Sequence, residues 1–220
     1  MIILLDEQEY DLRPSKIIAV ARNYRAHAEE MKSEVPKEPH FFLKPPSSLL
    51  ENNGEVILPK ASARVDHEVE LAVIMKTRTS KVTPENAKKN VLGYTVLVDV
   101  TARDIQARAK QKGMPWTISK GFDTFAPIGP NIVPVDAVDE RNLDIWLRIN
   151  REYKQRGNTN QMIFSVEQLV SYVSHIMTLE PMDIIATGTP SGVGPMQDGD
   201  IVEAGIEHIG VLQFKAVREP

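Results

Sequence analysis

Short runs of apolar residues, separated by polar or proline-containing segments, make up most of the chain. Most runs are rich in Val and Ile and are too short for helices, so they predict β-strands. The predicted strands cover residues 2–5, 16–21, 41–43, 56–58, 65–75, 91–98, 143–149, 152–159, 184–186, 201–204 and 211–214. Strands outweigh helices, and the pattern indicates an α+β protein that is predominantly β.

A few segments have helical features instead. The predicted helices cover residues 23–31, 84–90, 101–110 and 165–177. The last is the clearest, because Ser165 is followed three residues later by Gln168 in a capping pattern and apolar residues then recur at helical spacing. In the first, Asn23 is the expected N-terminal cap.

Two glutamates stand on one face of the predicted strand 65–75. Residues two apart in a strand point the same way, so Glu68 and Glu70 lie side by side. The same face continues as Ala72 and Ile74, which indicates that it is partly covered. Adjacent carboxylates under cover repel each other and lose hydration, and a bound cation would relieve both effects.

A third carboxylate, Asp99, falls where the next apolar run, 91–98, emerges. If Asp99 reaches Glu68 and Glu70, three hard oxygen ligands converge, which suits Mg²⁺, Mn²⁺ or Ca²⁺. The alternative is that the two glutamates form the solvated face of an antiparallel strand, where alternation of polar and apolar residues is routine. The spacing alone leaves both interpretations open.

Composition narrows the range of functions. The chain has 220 residues, a formal net charge of -4 and no cysteine. There is no overall basic excess of the kind that nucleic-acid-binding proteins carry, and disulfides, thiolate metal sites and a cysteine nucleophile are excluded. No signal peptide is expected from the N-terminal residues, and no stretch approaches the ~20 apolar residues of a membrane span. We therefore expect a single domain over 1–220 in the cytoplasm, with no nucleic-acid or membrane partner.

A possible acid–base pair lies in the first predicted helix. His27 and Glu30 are three residues apart, so they share a helical face, and a carboxylate beside an imidazole raises its basicity. The alternative is an incidental contact on a surface helix. Residues 32–39 are polar and contain two prolines, which predicts a loop; together with the helix, about 23–40 forms an expected lid.

Two further segments could meet an anionic ligand. Arg103 and Gln106 share a face near the start of a predicted helix, where free N–H groups attract anions, although plain solvent exposure is the alternative. The glycine-rich segment 187–195 lacks the Gly-Lys-Ser/Thr ending of a nucleotide-binding loop, but its backbone N–H groups could hold a carboxylate.

Taken together, several ordered motifs resemble the fumarylacetoacetate hydrolase family, and its small acylpyruvase and oxaloacetate decarboxylase branch in particular. The motifs that carry the resemblance are Ala21-Arg22-Asn23-Tyr24 with His27 and Glu30, Phe42-Leu43-Lys44-Pro45, His67-Glu68-Val69-Glu70-Leu71, Asp99-Val100-Thr101-Ala102-Arg103-Asp104, Trp116-Thr117-Ile118-Ser119-Lys120 and Thr187-Gly188-Thr189-Pro190-Ser191-Gly192-Val193-Gly194. These motifs span nearly the whole chain. Their occurrence together and in this order is more specific than any single motif.

The resemblance implies a mixed β-roll with a few peripheral helices, a homodimer, and a small 2-oxo acid as substrate. It implies that Mg²⁺, or Mn²⁺ or Ca²⁺ in its place, is held by Glu68, Glu70 and Asp99. It implies catalytic roles for three residues, His27, Glu30 and Lys120. It further implies that substrate is bound by four residues, Arg22, Arg103, Gln106 and Thr189.

The implied chemistry is cleavage of a 2-oxo acid through a metal-bound pyruvate enolate. Hydrolysis of an acylpyruvate and decarboxylation of oxaloacetate share that enolate, and only the hydrolysis needs a water activated by His27. Isomerisation or decarboxylation of an unsaturated oxo acid in aromatic degradation is an alternative. From another class, the protein could be a non-catalytic domain with a structural Ca²⁺ site.

Overall fold

The structure is a computed structural model, and it describes residues 1–5, 7–30 and 35–220. Its strands, in chain order, are β1 (Ile2–Leu5), β2 (Gln8–Asp11), β3 (Ile17–Ala21), β4 (His40–Lys44), β5 (Leu49–Leu50), β6 (Glu55–Leu58), β7 (Val65–His67), β8 (Val69–Met75), β9 (Val91–Val98), β10 (Thr101–Ala102), β11 (Ala126–Pro127), β12 (Asn131–Pro134), β13 (Asp144–Ile149), β14 (Glu152–Asn158), β15 (Ile184–Ala186), β16 (Gly194–Pro195), β17 (Ile201–Ile206) and β18 (Gly210–Arg218). The α-helices are α1 (Arg25–Glu30), α2 (Pro84–Ala87), α3 (Arg103–Gln111), α4 (Thr117–Lys120) and α5 (Val166–Ile176). Short 3₁₀ turns lie at Pro46–Ser48, Lys88–Asn90 and Thr159–Gln161.

Two large sheets organise the fold. An eight-stranded mixed sheet has the order β2-β1-β12-β9-β8-β15-β3-β4, and a five-stranded sheet has the order β14-β13-β17-β18-β6. Strand β13 packs against β8, while β17 and β18 pack against β9. A small sheet, β10-β7-β16, and the pair β11-β5 complete the architecture. The prediction of a predominantly β protein with peripheral helices is confirmed.

Both faces of β8 are buried, which decides between the two interpretations of its alternating pattern. Val69, Leu71 and Val73 belong to the larger apolar cluster, between the two sheets and helix α5. Ala72 and Ile74, on the opposite face, belong to a second cluster. The interpretation of a solvated strand face is therefore wrong, because Glu68 and Glu70 are buried along with their apolar neighbours.

The helix predictions need three corrections. Asn23 does not cap a helix: its buried amide donates to the carbonyls of Phe164 and Thr187 and so ties three chain segments together. The predicted helix 101–110 begins only at Arg103, because Thr101 and Ala102 pair with β7. The short helix α4 is not among the predicted helices.

The predicted lid at about 23–40 is described only in part. Helix α1 lies within it, while residues 31–34 of the predicted helix and loop lie outside the described residues. In the described part of the chain, every helix is too short or too polar to cross a membrane. The single domain and the homodimer stay predictions.

Gly93 on β9 lies so close to β12 that no side chain fits between the two strands. A Cβ atom there would lie 2.2 Å from the carbonyl oxygen of Val133 on β12. Gly93→Ala is expected to lower the free energy of unfolding by about 1–3 kcal/mol through this overpacking. Thermal denaturation followed by circular dichroism measures the effect, because a loss of about 1 kcal/mol lowers the melting temperature by roughly 2–4 °C. Gly194→Ala is the control, since the nearest atom would be 3.7 Å away; equal losses would contradict the packing argument.

Candidate active site

The register of β8 against β9 brings three carboxylates together. Val69 pairs with Val98, and the amide of Asp99 donates to the carbonyl of Glu68 at 2.8 Å, so Asp99 stands opposite Glu68. Opposed residues project from the same side of a sheet, as do residues two apart in one strand. Ligand atoms of Glu68, Glu70 and Asp99 consequently lie within 4.8 Å of one another, and all three side chains are buried.

Cationic side chains surround two of these carboxylates. The buried ammonium of Lys120 lies 3.0 Å from Glu68 Oε2 and 2.5 Å from Asp99 Oδ2. Arg103 donates to Glu68, and Lys44 donates to Asp99 Oδ1 at 2.7 Å. Charge-assisted hydrogen bonds of this kind are short and strong in a buried site.

Glu70 differs from its two neighbours. In the described part of the chain it forms no ion pair, and its carboxylate accepts a hydrogen bond from the backbone N–H of Gly188 at 2.7 Å. Burial raises the pKa of Glu70 well above its usual range, and the charges of Asp99 and Glu68 raise it further. Burial also opposes ionisation of Glu68, but Lys120 and Arg103 outweigh it and hold the pKa of Glu68 well below its usual range.

These residues fit a hard divalent cation. The donor set consists of carboxylate oxygens alone, which suits Mg²⁺, Mn²⁺ or Ca²⁺. Glu70 is buried and, in the part of the chain that the structure describes, forms no ion pair with a cationic side chain. A divalent ion would supply the missing charge beside Glu70, and Glu68, Glu70 and Asp99 would hold it.

The predicted acid–base pair adjoins this cluster. His27 is buried, and its Nδ1 lies 3.4 Å from Glu30 Oε2. Glu30 also accepts from the backbone N–H of Gly192 at 3.2 Å, which ties α1 to the glycine-rich segment. Burial lowers the pKa of His27, against the opposing effects of Glu68 and Glu30, so the imidazole is neutral and able to accept a proton at neutral pH.

One cavity of about 190 Å³ connects the predicted site residues. It is lined by His27, Glu68, Glu70, Asp99, Lys120, Arg22, Arg103, Gln106 and Thr189 and by Val20, Ala21, Phe42, Lys110 and Trp116. Glu30 is absent from the lining and acts on the cavity through His27. The structure thus places nine of the ten predicted site residues on one cavity and the tenth behind His27.

Hydrogen bonding fixes which groups two of these residues present. Arg103 Nη1 donates to Gln106 Oε1 at 2.7 Å, so the amide NH₂ of Gln106 is left to donate to a ligand. Gln155 Nε2 donates to Thr189 Oγ1 at 2.8 Å, so the hydroxyl hydrogen of Thr189 points elsewhere and can also be donated. Both residues can therefore bind an anionic or carbonyl oxygen.

Lys44 and Gln155 also support the site, although their roles are not predicted from the sequence. Lys44 ends the apolar run of β4, and a charge in that position could have been noticed by the same reasoning as Asp99. Gln155 Oε1 accepts from His67 Nδ1 and from the amide of Val69, while its NH₂ group donates to Thr189, so it joins β14 to the strand that carries the glutamates. No local pattern around Gln155 indicates this contact.

Metal binding is expected to release protons. Because the pKa of Glu70 is raised, this carboxyl keeps its proton to higher pH in the metal-free protein, and only the carboxylate is a ligand. Affinity for Mg²⁺ or Mn²⁺ should rise with pH, with up to about one proton released per ion at a pH below the raised pKa of Glu70. Calorimetric titration in buffers of different ionisation enthalpy measures this release. An affinity that does not change with pH would contradict the raised pKa.

Comparisons of the sequence with known proteins identify its family. Residues 16–217 match the family model described as fumarylacetoacetate (FAA) hydrolase C-terminal. An oxaloacetate decarboxylase, mitochondrial, from Dictyostelium discoideum is 48% identical over 205 residues, 92% of this chain and 94% of that protein. Oxaloacetate tautomerase FAHD1, mitochondrial, from Arabidopsis thaliana is 46% identical over 204 residues, 93% of this chain and 92% of that protein.

A solved structure gives the same result for the fold. The fumarylpyruvate hydrolase from Pseudomonas aeruginosa, in complex with Mn²⁺ and pyruvate, superposes with a TM-score of 0.93 at 34% sequence identity. The match covers 100% of this chain and 96% of that one. These relatives are named as enzymes, and the chain is an enzyme.

Proposed function

The chain belongs to the fumarylacetoacetate hydrolase family, and we propose that it is a divalent-metal-dependent enzyme that acts on a small 2-oxo acid through a pyruvate-type enolate. Oxaloacetate is the proposed first substrate, undergoing enol–keto interconversion or decarboxylation. The observation that carries the proposal is that three buried carboxylates, Lys120 and His27 line one cavity. The names of the relatives from Dictyostelium and Arabidopsis support oxaloacetate.

The metal, when bound, would polarise the ketone and favour electron density on its oxygen. Arg103 and the NH₂ group of Gln106 bind and orient the substrate carboxylate. Lys120 places a buried ammonium where negative charge develops; burial alone would lower its pKa, but Asp99 and Glu68 raise it, so Lys120 remains charged. Thr189 donates its hydroxyl hydrogen to a substrate oxygen.

Acylpyruvate hydrolysis is a second candidate, favoured by the contact of His27 with Glu30. The neutral imidazole takes a proton from water, and the resulting hydroxide adds to the C4 carbonyl. The bond between C3 and C4 then breaks, with its electron pair left on the pyruvate fragment as an enolate. Decarboxylation of oxaloacetate needs no such water.

Parallel assays test the proposal. Purified protein is supplied with oxaloacetate and with acetylpyruvate, in Mg²⁺ and in EDTA, and enol absorbance and pyruvate release are followed. We expect turnover of oxaloacetate above the rate with Mg²⁺ alone, lost in EDTA. If the protein turns over neither oxaloacetate nor acetylpyruvate with Mg²⁺ or Mn²⁺, the proposal is contradicted and a non-catalytic cation site is favoured. The homodimer and the cytoplasmic location remain part of the proposal.

A further inference from the structure

Strand β14, at the edge of the five-stranded sheet, carries one buried polar side chain. Of the seven residues of β14, only Gln155 is buried, and it is 1% exposed. Gln155 does not line the active-site cavity. Because a buried amide needs hydrogen-bond partners inside the protein, the contacts of Gln155 indicate its role.

A β-bulge in this strand turns Gln155 inward. Gln155 pairs with Leu147 of β13, but the next pair along is Tyr153 with Arg148, so Lys154 is an extra residue on β14. Residues two apart in a regular strand point the same way, whereas here Tyr153 is exposed and Gln155 is buried. Bulges redirect side chains in this manner and are common beside active sites.

Backbone groups fix the direction in which the amide of Gln155 faces. The N–H of Val69 can only donate, and it donates to Oε1 at 3.1 Å, while the carbonyl of Pro190 can only accept, and it accepts from Nε2 at 2.9 Å. The same Nε2 donates to Thr189 Oγ1 at 2.8 Å. His67 Nδ1 lies 2.9 Å from Oε1 and must carry a hydrogen, so both lone pairs and both hydrogens of the amide are used.

The glycine-rich segment 187–195 packs directly against β14 on both sides of Gln155. A Cβ atom at Gly192 would lie 2.2 Å from the carbonyl oxygen of Lys154, and Gly192 has a φ angle of +93°, which glycine adopts without strain. A Cβ atom at Gly157 of β14 would lie 2.7 Å from the Cβ of Pro190. Both close approaches need glycine, and together they hold the segment at the distance where Gln155 reaches it.

We propose that Gln155 is a positioning residue that aims the hydroxyl hydrogen of Thr189 at the substrate, and that the bulge in β14 places Gln155 for this role. Because Nε2 of Gln155 donates to Oγ1 of Thr189, the hydroxyl cannot donate back to Gln155, and Thr189 lines the cavity. The inference rests on the proposed function, since it takes Thr189 to bind an oxygen of the 2-oxo acid. Gln155 acts from outside the cavity, through Thr189 alone.

A double-mutant cycle tests whether Gln155 acts through Thr189. Gln155→Glu keeps the side-chain shape and the acceptor for Val69, but it presents to Thr189 an oxygen that would accept the hydroxyl hydrogen. In protein saturated with Mg²⁺, calorimetry should show that Gln155→Glu and Thr189→Val each raise the dissociation constant for pyruvate about tenfold. The double variant should lose no more than about twofold beyond either single variant, because both changes remove the same hydrogen bond to the ligand.

Gln155→Met is the second variant, since it removes the donor and the acceptor without adding a charge. It neither holds nor captures the hydroxyl of Thr189, so the expected loss of pyruvate affinity is smaller, about threefold, and should vanish when Thr189→Val is also present. Gln213→Glu, at an exposed position on β18 of the same sheet, is the matched control and should leave the affinity unchanged. Thermal melting followed by circular dichroism verifies that each variant is folded.

Losses that multiply in the double variants would overturn the positioning role, because Gln155 would then act independently of Thr189. Unchanged pyruvate affinity in Thr189→Val, or in both Gln155 variants, would overturn it as well. Wild-type protein that binds Mg²⁺ but no pyruvate would instead refute the proposed function, and the positioning role with it. The expected cycle in a protein that does not turn over oxaloacetate would support the positioning role and refute only the catalytic proposal.

Discussion

Glu70→Gln is expected to weaken Mg²⁺ and Mn²⁺ binding by more than about 100-fold and to abolish metal-dependent turnover. Loss of groups that merely orient a metal's ligands costs about 10–100-fold in affinity, so loss of a direct ligand should cost more. The substitution keeps the side-chain shape and an oxygen that can accept from Gly188. Calorimetric titration with each ion measures the affinity.

A stability measurement separates this effect from misfolding. Glu70 is buried beside two carboxylates and has no cationic partner within the residues that the structure describes, so the metal-free Glu70→Gln protein should unfold at a temperature no lower than that of the wild type. The wild type should gain stability when Mg²⁺ is added and the variant should not. Glu55→Gln, at an exposed position on β6, is the control and should keep the gain. A variant stabilised by Mg²⁺ as much as the wild type would refute the ligand role.

His27→Ala is expected to lower hydrolysis of acetylpyruvate by about 10²- to 10⁴-fold, the usual contribution of a general base. Decarboxylation of oxaloacetate should fall much less, because no water is activated in that reaction. Measuring kcat for both substrates on the same Mg²⁺-loaded preparation gives the comparison. His175→Ala, at the exposed end of α5, should change neither rate. Equal losses for the two substrates would contradict the assigned role of His27.

The metal cluster could be predicted because its three residues lie on apolar runs that follow each other in the chain. Alternation along residues 65–75 predicts that Glu68 and Glu70 share one face, and Asp99 follows β9, which pairs with β8 as consecutive strands commonly do. His27 and Glu30 are three residues apart in a helix and therefore share a face, so the contact between them follows from their spacing.

The rest of the site depends on contacts between distant segments. Lys44 reaches Asp99 from β4, and Gln155 reaches Thr189 from the hairpin of the five-stranded sheet. Local propensity predicts that Asn23 caps a helix, but its hydrogen bonds to Phe164 and Thr187 override that propensity. Such contacts follow from the arrangement of the sheets, which no short window of sequence determines.

Exchange of the pyruvate methyl hydrogens in D₂O tests the central claim most directly, since it reports formation of the pyruvate enolate whichever substrate is natural. Proton NMR should show the methyl signal decaying faster with protein and Mg²⁺ than with Mg²⁺ alone, and Glu70→Gln should abolish the difference. Exchange at the rate of the metal-only control, by protein shown to bind Mg²⁺ and pyruvate, would contradict the account.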